Sequence, residues 1–356
     1  MKKIILGIFL LLFSFVPVLA QTEPQEEYLK GRIINVATEG GATKYSIEIF
    51  DGSLKDQTIE YLHNSELSDK DIEYKQGDKV VVSYNEVEGE GPVYMITDYW
   101  RVNSLNFLLI IFLVLAILIA GKKAIYSFAG MLLSFVVIFS LILPGILKGQ
   151  DPVLIAILGS LLIIPITFYL SHGFNKKTTV AVLGTVVALV VTGLLSYLFV
   201  ELAHLNGYAS EEVMFLGGES FNIKGILLAG FIIGALGVLD DITISQSAIV
   251  FELADVNKEM GFLELFLRSM RVGKDHIASM INTLVLVYAG AALPLLLLFV
   301  SDNRDALEIL NMEMMATEVV RTLVGSIGLI LAVPVTTVIA VSISKKKNSM
   351  VPSSLQ

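Results

Sequence analysis

The chain divides by the pattern of its apolar positions. Lys2 and Lys3 precede an apolar run, Ile4–Leu19, which gives way after Val18-Leu19-Ala20 to polar Gln21-Thr22-Glu23-Pro24. That is the layout of a signal peptide over residues 1–20, either cleaved after small residues or kept as an anchor. Both outcomes export the segment downstream. Residues 29–98 then alternate in short runs of period two. Arg32–Thr38, Tyr45–Phe50, Thr58–Leu62, Lys79–Tyr84 and Val93–Thr97 read as strands. Glu39-Gly40-Gly41-Ala42, Asp51-Gly52, Gln76-Gly77-Asp78 and Glu88–Pro92 supply the turns. About five short strands predict a small β domain over residues 21–101, a barrel of OB-like or SH3-like form.

The pattern changes after Trp100 and Arg101, an aromatic and a cation suited to a membrane interface. Seven apolar segments follow, at about 104–120, 124–143, 152–171, 179–200, 225–250, 277–299 and 319–343. Each is long enough to cross a hydrocarbon core of ~30 Å. Helices alone satisfy their own backbone hydrogen bonds there. The predicted fold class is therefore an all-α polytopic membrane bundle of about seven transmembrane helices over residues 102–344. A small N-terminal extracytoplasmic β-barrel-like domain precedes it, and a basic tail, residues 345–356, closes it. Pro144, Pro165, Pro294 and Pro334 lie in or near spans, where proline kinks helices. An amphipathic stretch, with Phe262, Leu263, Phe266, Leu267 and Met270 on one face, either lies on the leaflet or packs under the bundle. Seven spans do not divide into equal inverted repeats, and no internal repeat stands out.

Charge adds an orientation. The 356 residues are 54% hydrophobic and only 17% charged, with a net charge of −9. Residues 21–101 hold 17 acidic and 8 basic side chains, so the whole imbalance belongs to the β domain. Such a surface repels nucleic acid and excludes it as a partner. Lys122, Lys123, Lys176, Lys177, Lys258, Arg268, Arg271, Lys274, Lys345, Lys346 and Lys347 fall on one side of the predicted topology. Lys148, Lys224 and Arg304 fall on the other. The positive-inside rule puts the first set and the C-terminus in the cytoplasm, and the β domain outside. The chain has no cysteine, which excludes disulfides, thiolate nucleophiles and Cys-type metal sites. The four histidines show no metal spacing and no phosphate-cradling glycine loop is present, so no cofactor is expected.

One segment carries unusual chemistry. Gly234-Ala235-Leu236-Gly237-Val238-Leu239-Asp240-Asp241 continues into Ile242-Thr243-Ile244-Ser245-Gln246-Ser247. A helix that stopped at Leu239 would be only about 22 Å long, so the span is expected to run on through Val250. Each Asp near a helix centre costs roughly 2.5–3.5 kcal/mol on insertion. Asp240, Thr243 and Ser247 share one helical stripe. Gly230, Gly234, Gly237, Asp241 and Ser245 share the next, and its glycines are expected to let another helix approach closely. Burial disfavours charge, and adjacent carboxylates disfavour double ionisation. That is the chemistry of a proton carrier or a hard-cation ligand set, with Gln246 beside it. An inter-helix polar clamp is the competing structural reading. Pro334, Thr336 and Thr337 are candidates to line a pathway, against plain packing. Glu318 and Arg321, three apart on the last span, are expected to pair. Residues i and i+1 point about 100° apart on a helix, which argues against a facing aspartyl dyad and hence against an intramembrane protease.

Gly234–Asp241 with Thr243, Ser245 and Gln246 resembles the YibE/F-like family of bacterial multi-span membrane proteins. Leu143-Pro144 with Gly149, His172-Gly173, Gly184-Thr185, and Pro334 with Thr337 support the resemblance. It implies an integral membrane location and no settled activity. Some relatives carry one Asp where this chain has two. Two functions stay open. One is a transporter or channel for an ion or small solute, with the Asp pair coupling to protons or small cations. The other is a non-transport envelope protein, whose exported domain binds an extracytoplasmic protein while the bundle anchors it in the bilayer. Enzyme function is not expected.

Overall fold

The computed structural model describes residues 27–39, 42–64, 73–87, 91–209, 211–216, 221–301 and 305–348. The expected signal peptide and the basic tail from residue 349 lie outside them. The chain forms two compact units. One ends at Ile119 and holds the β strands and the first long helix; the other begins at Ala120.

The first unit is built on strands β1 (Glu27–Glu39), β2 (Ala42–Ile49), β3 (Thr58–Asn64), β4 (Lys79–Val87) and β5 (Gly91–Tyr99). All neighbours are antiparallel, in the order β3-β2-β1-β4-β5. All five expected strands form. β1 is central because its alternating residues Leu29 and Ile33 face the core with Ile47, Ile49, Val80 and Val82. A bulge at Ile33/Asn35 bends it. Among the described residues no ladder joins β3 to β5, so the sheet is an open half-barrel rather than a closed one. Tyr74 fills the concave side, edge-on to Tyr45 at 5.8 Å and 4.8 Å from Tyr99. Burial, helped by the Asp98 carboxylate, pushes the Tyr74 phenol up to about 12. The helix α1 (Val102–Ala120) is apolar and has no buried residue of its own.

The second unit is helical. Its elements are α2 (Lys122–Val137), a π-helical turn (Ile138–Ile142), α3 (Leu143–Leu147), α4 (Pro152–His172), α5 (Lys176–Leu202), α6 (Glu211–Leu216) and α7 (Ile223–Val256). Next come α8 (Phe262–Ala291), α9 (Leu293–Ser301), α10 (Ala306–Asn311) and α11 (Glu313–Asn348). The π turn sits just before Pro144, where the ladder must accommodate a residue with no N–H. Among the described residues six helices are long and apolar enough to span a membrane, α1 and the α2–α3 run included. The sixth expected span, 277–299, is broken: α8 and α9 meet at 61°. Pro294 lies in the first turn of α9, as proline at such a break should. His172 ends α4, and Gly173 follows at φ +76°, in the left-handed region that glycine adopts freely.

The amphipathic stretch proves to be the first half of α8, packed against the bundle. Of its expected face only Phe266 and Met270 pack against the buried clusters. Leu265, Ser269 and Gly273 are buried, whereas Phe262, Leu263 and Leu267 are exposed. Gly273 fits because its missing side chain leaves room for Val333 and Gln246.

Candidate functional site

α7 settles whether the Asp segment is terminal. It is one helix of 34 residues, about 51 Å long at 1.5 Å per residue. Asp240 stands 17 residues after its start and 16 before its end. Ion pairs to α5 mark both ends: Lys224 Nζ to Glu201 Oε1 and Lys177 Nζ to Glu252 Oε1, each at 2.6 Å. Asp240 is ~24 Å along the helix from Lys224 and ~18 Å from Glu252.

Between those ends lies a chain of enclosed polar groups. Thr243 and Thr185 on α5 share a hydroxyl–hydroxyl bond of 2.6 Å. Ser247 donates to the Lys177 carbonyl at 2.8 Å. Gln246 Nε2 donates to Thr337 Oγ1 on α11 at 2.8 Å and to the Ser269 carbonyl on α8 at 3.2 Å. The Thr337 hydroxyl donates in turn to the Val333 carbonyl at 2.7 Å. All of Thr185, Thr243, Gln246, Ser247, Ser269, Thr336 and Thr337 are buried. Polar groups are placed in such a core only if something satisfies them. Yet Asp240 Oδ1, Gln246 Oε1, Ser269 Oγ and Thr336 Oγ1 are enclosed without a hydrogen-bond partner.

The two stripes of α7 part company. Asp240, Thr243 and Ser247 turn towards the protein, Asp240 half-buried and the other two fully. Asp241 is exposed on the chain's surface, with Gly230, Gly234 and Gly237, while Ser245 is half-buried. The expected close approach at these glycines is not found. A Cβ at Gly230 or Gly237 would meet nothing within 4 Å, and one at Gly234 only the Tyr288 hydroxyl at 3.8 Å. Tight seats lie instead at Gly184, Gly273 and Gly328. Helical spacing tells which residues share a stripe but not which stripe meets a neighbour.

Of the candidates, the structure brings together Thr243, Gln246, Ser247, Thr336 and Thr337, with Asp240 at the margin. It leaves Asp241 and the glycine stripe apart. Pro334 lies inside α11 next to Val333, which accepts from Thr337. Spacing on α7 did not reveal Thr185, Ser269 or Gly273, which belong to other helices. The signal for Thr185 was Gly184-Thr185, a small residue beside a hydroxyl. The Glu318–Arg321 pair forms as expected at 2.8 Å. Among the described residues no group of three His, Cys, Asp or Glu side chains could hold a metal ion.

Apolar helices of spanning length around an enclosed polar chain define a multi-pass, membrane-associated protein. The profile of the YibE/F-like protein family matches residues 108–346, and the chain belongs to that family. No curated protein and no solved structure matches the chain.

Proposed function

We propose that the chain is a transporter or channel for a proton or small cation, and that Asp240 is the group that takes up the ion. One observation supports this above others. A carboxylate oxygen at the centre of α7 is enclosed and lacks a partner. It lies one turn from the Thr185–Thr243 bond. A half-buried acid in lipid surroundings costs several kcal/mol. An inter-helix clamp would offset that cost by pairing the acid, and no clamp holds Asp240 Oδ1. Hydroxyl and amide oxygens at Thr243, Gln246, Thr336 and Thr337 extend the same surface as hard-cation ligands or proton-relay groups. Asp241, on the outer face, is assigned no coupling role. The β unit is taken as extracytoplasmic and the C-terminus as cytoplasmic, from the loop cations. No enzymatic step is assigned.

The envelope-partner reading draws support from the half-barrel. Its edge strand β3 carries Leu62 exposed, and β5 carries Val93 and Met95 exposed. Ion flux into proteoliposomes separates the two readings. Flux of protons or a mono- or divalent cation, lost when Asp240→Asn and Asp241→Asn are combined at normal expression, supports transport. No flux by the wild type across that screen leaves the partner reading.

A further inference from the structure

One motif occurs twice in the second unit. Thr178-x-Val180-x3-Gly184-x3-Ala188-x2-Val191-Thr192 on α5 recurs as Thr322-x-Val324-x3-Gly328-x3-Ala332-x2-Val335-Thr336 on α11, at a constant offset of 144 residues. The copies run in opposite directions and lie against each other. Thr336 seats on Gly184, and Thr192 seats on Gly328. At both seats a Cβ added to the glycine would lie 3.2 Å from the threonine Cβ and 3.4 Å from its Cγ2. The two seats are one contact turned through a half-turn.

The same register runs the length of the seam. Each step of four along α5 is matched by a step of four back along α11. Val180 shares a buried cluster with Ala340, Ala188 with Ala332, and Val200 packs with Val320. The cation before each motif obeys the relation too. Lys177 and Arg321 both reach α7, the first to Glu252 at 2.6 Å, the second over the Phe231 ring at 5.1 Å. Asp240 and Asp241 stand near the midpoint between Phe231 and Glu252. A search for equal halves misses this repeat because its unit is one helix.

We infer that α5 and α11 are an inverted pair related by a local two-fold axis, and that their seam is the pivot on which the two ends of the bundle open in turn. Small residues at every fourth position bring the two backbones close along one continuous line of contact, the same at both ends. Secondary transporters frame their ion sites near the mid-plane between elements of inverted topology. The pivot rests on the transport reading above, whereas the pairing of the two helices does not.

The absence of native cysteine allows the seam to be probed directly. Val180→Cys with Ala340→Cys closes one end by oxidation, and Val320→Cys reports on the other. Lys176→Cys with Ser344→Cys serves as a second closing pair, one turn further out. The probe is N-ethylmaleimide in native membranes, which needs a water-exposed thiol. Closing one end is expected to raise the labelling rate of the reporter at least ~3-fold, reversibly on reduction. An unchanged or slower rate with both pairs overturns the pivot, as does failure of both pairs to cross-link. No substrate enters the assay, so this result stands or falls apart from the Asp240 flux measurement.

Discussion

Gln246 on α7 and Thr337 on α11 lie 91 residues apart in sequence and are joined by a hydrogen bond of 2.8 Å. The same amide reaches the Ser269 carbonyl on α8. One side chain therefore ties three helices, and its carbonyl oxygen is left over. A group with two bonds made and one acceptor spare can act both as a clamp and as a ligand.

Removing that side chain should cost stability first. Gln246→Ala is expected to destabilise the bundle by about 1–2 kcal/mol, the scale of interhelical hydrogen bonds in membranes. Thermal melting of the full chain in detergent measures it. A melting temperature equal to that of the wild type would show the amide to be energetically idle.

The glycines should sort by what their missing side chains would meet. At Gly273 a Cβ would lie 2.7 Å from Val333 Cγ1 and 2.8 Å from Gln246 Oε1. Gly273→Ala should cost roughly 1–3 kcal/mol through overpacking. At Gly237 the same atom meets open space. Gly237→Ala should leave stability unchanged or raise it by up to ~1 kcal/mol through helix propensity. Equal melting temperatures for the two variants would contradict the packing described.

The β unit should weaken at alkaline pH. The folded Tyr74 phenol ionises at about 12, above the unfolded value of 10.0. The folded state then holds the proton longer than the unfolded chain. Its contribution is complete below pH 10 and is lost as pH rises towards 12. The melting temperature of the strand signal should fall over that window, and Tyr74→Phe should flatten part of the fall. Parallel curves for wild type and variant would exclude Tyr74 as the cause.

Much of this was legible from residue order. The five strands, the continuity of α7 through Asp240 and the Glu318–Arg321 pair follow from period, length and spacing. The inward faces were harder to read. In a soluble helix, polarity marks the outer side. In a membrane helix both lipid and protein meet apolar residues, so Leu265 and Leu267 look alike although only Leu265 is buried. For the same reason Gly230 and Gly237 resembled packing residues, while Gly184 and Gly328 perform that role. The threonine opposite each glycine holds the missing information, and it lies far off in the sequence, on the partner helix of the repeat.

The division of labour between Asp240 and Asp241 is the most direct test. Proteoliposomes holding wild type, Asp240→Asn or Asp241→Asn are given the same ion gradient, at matched protein density. Asp240→Asn should lower flux at least ~10-fold, while Asp241→Asn should stay within about 2-fold of wild type. Full flux in Asp240→Asn, or its loss in Asp241→Asn alone, would contradict that division.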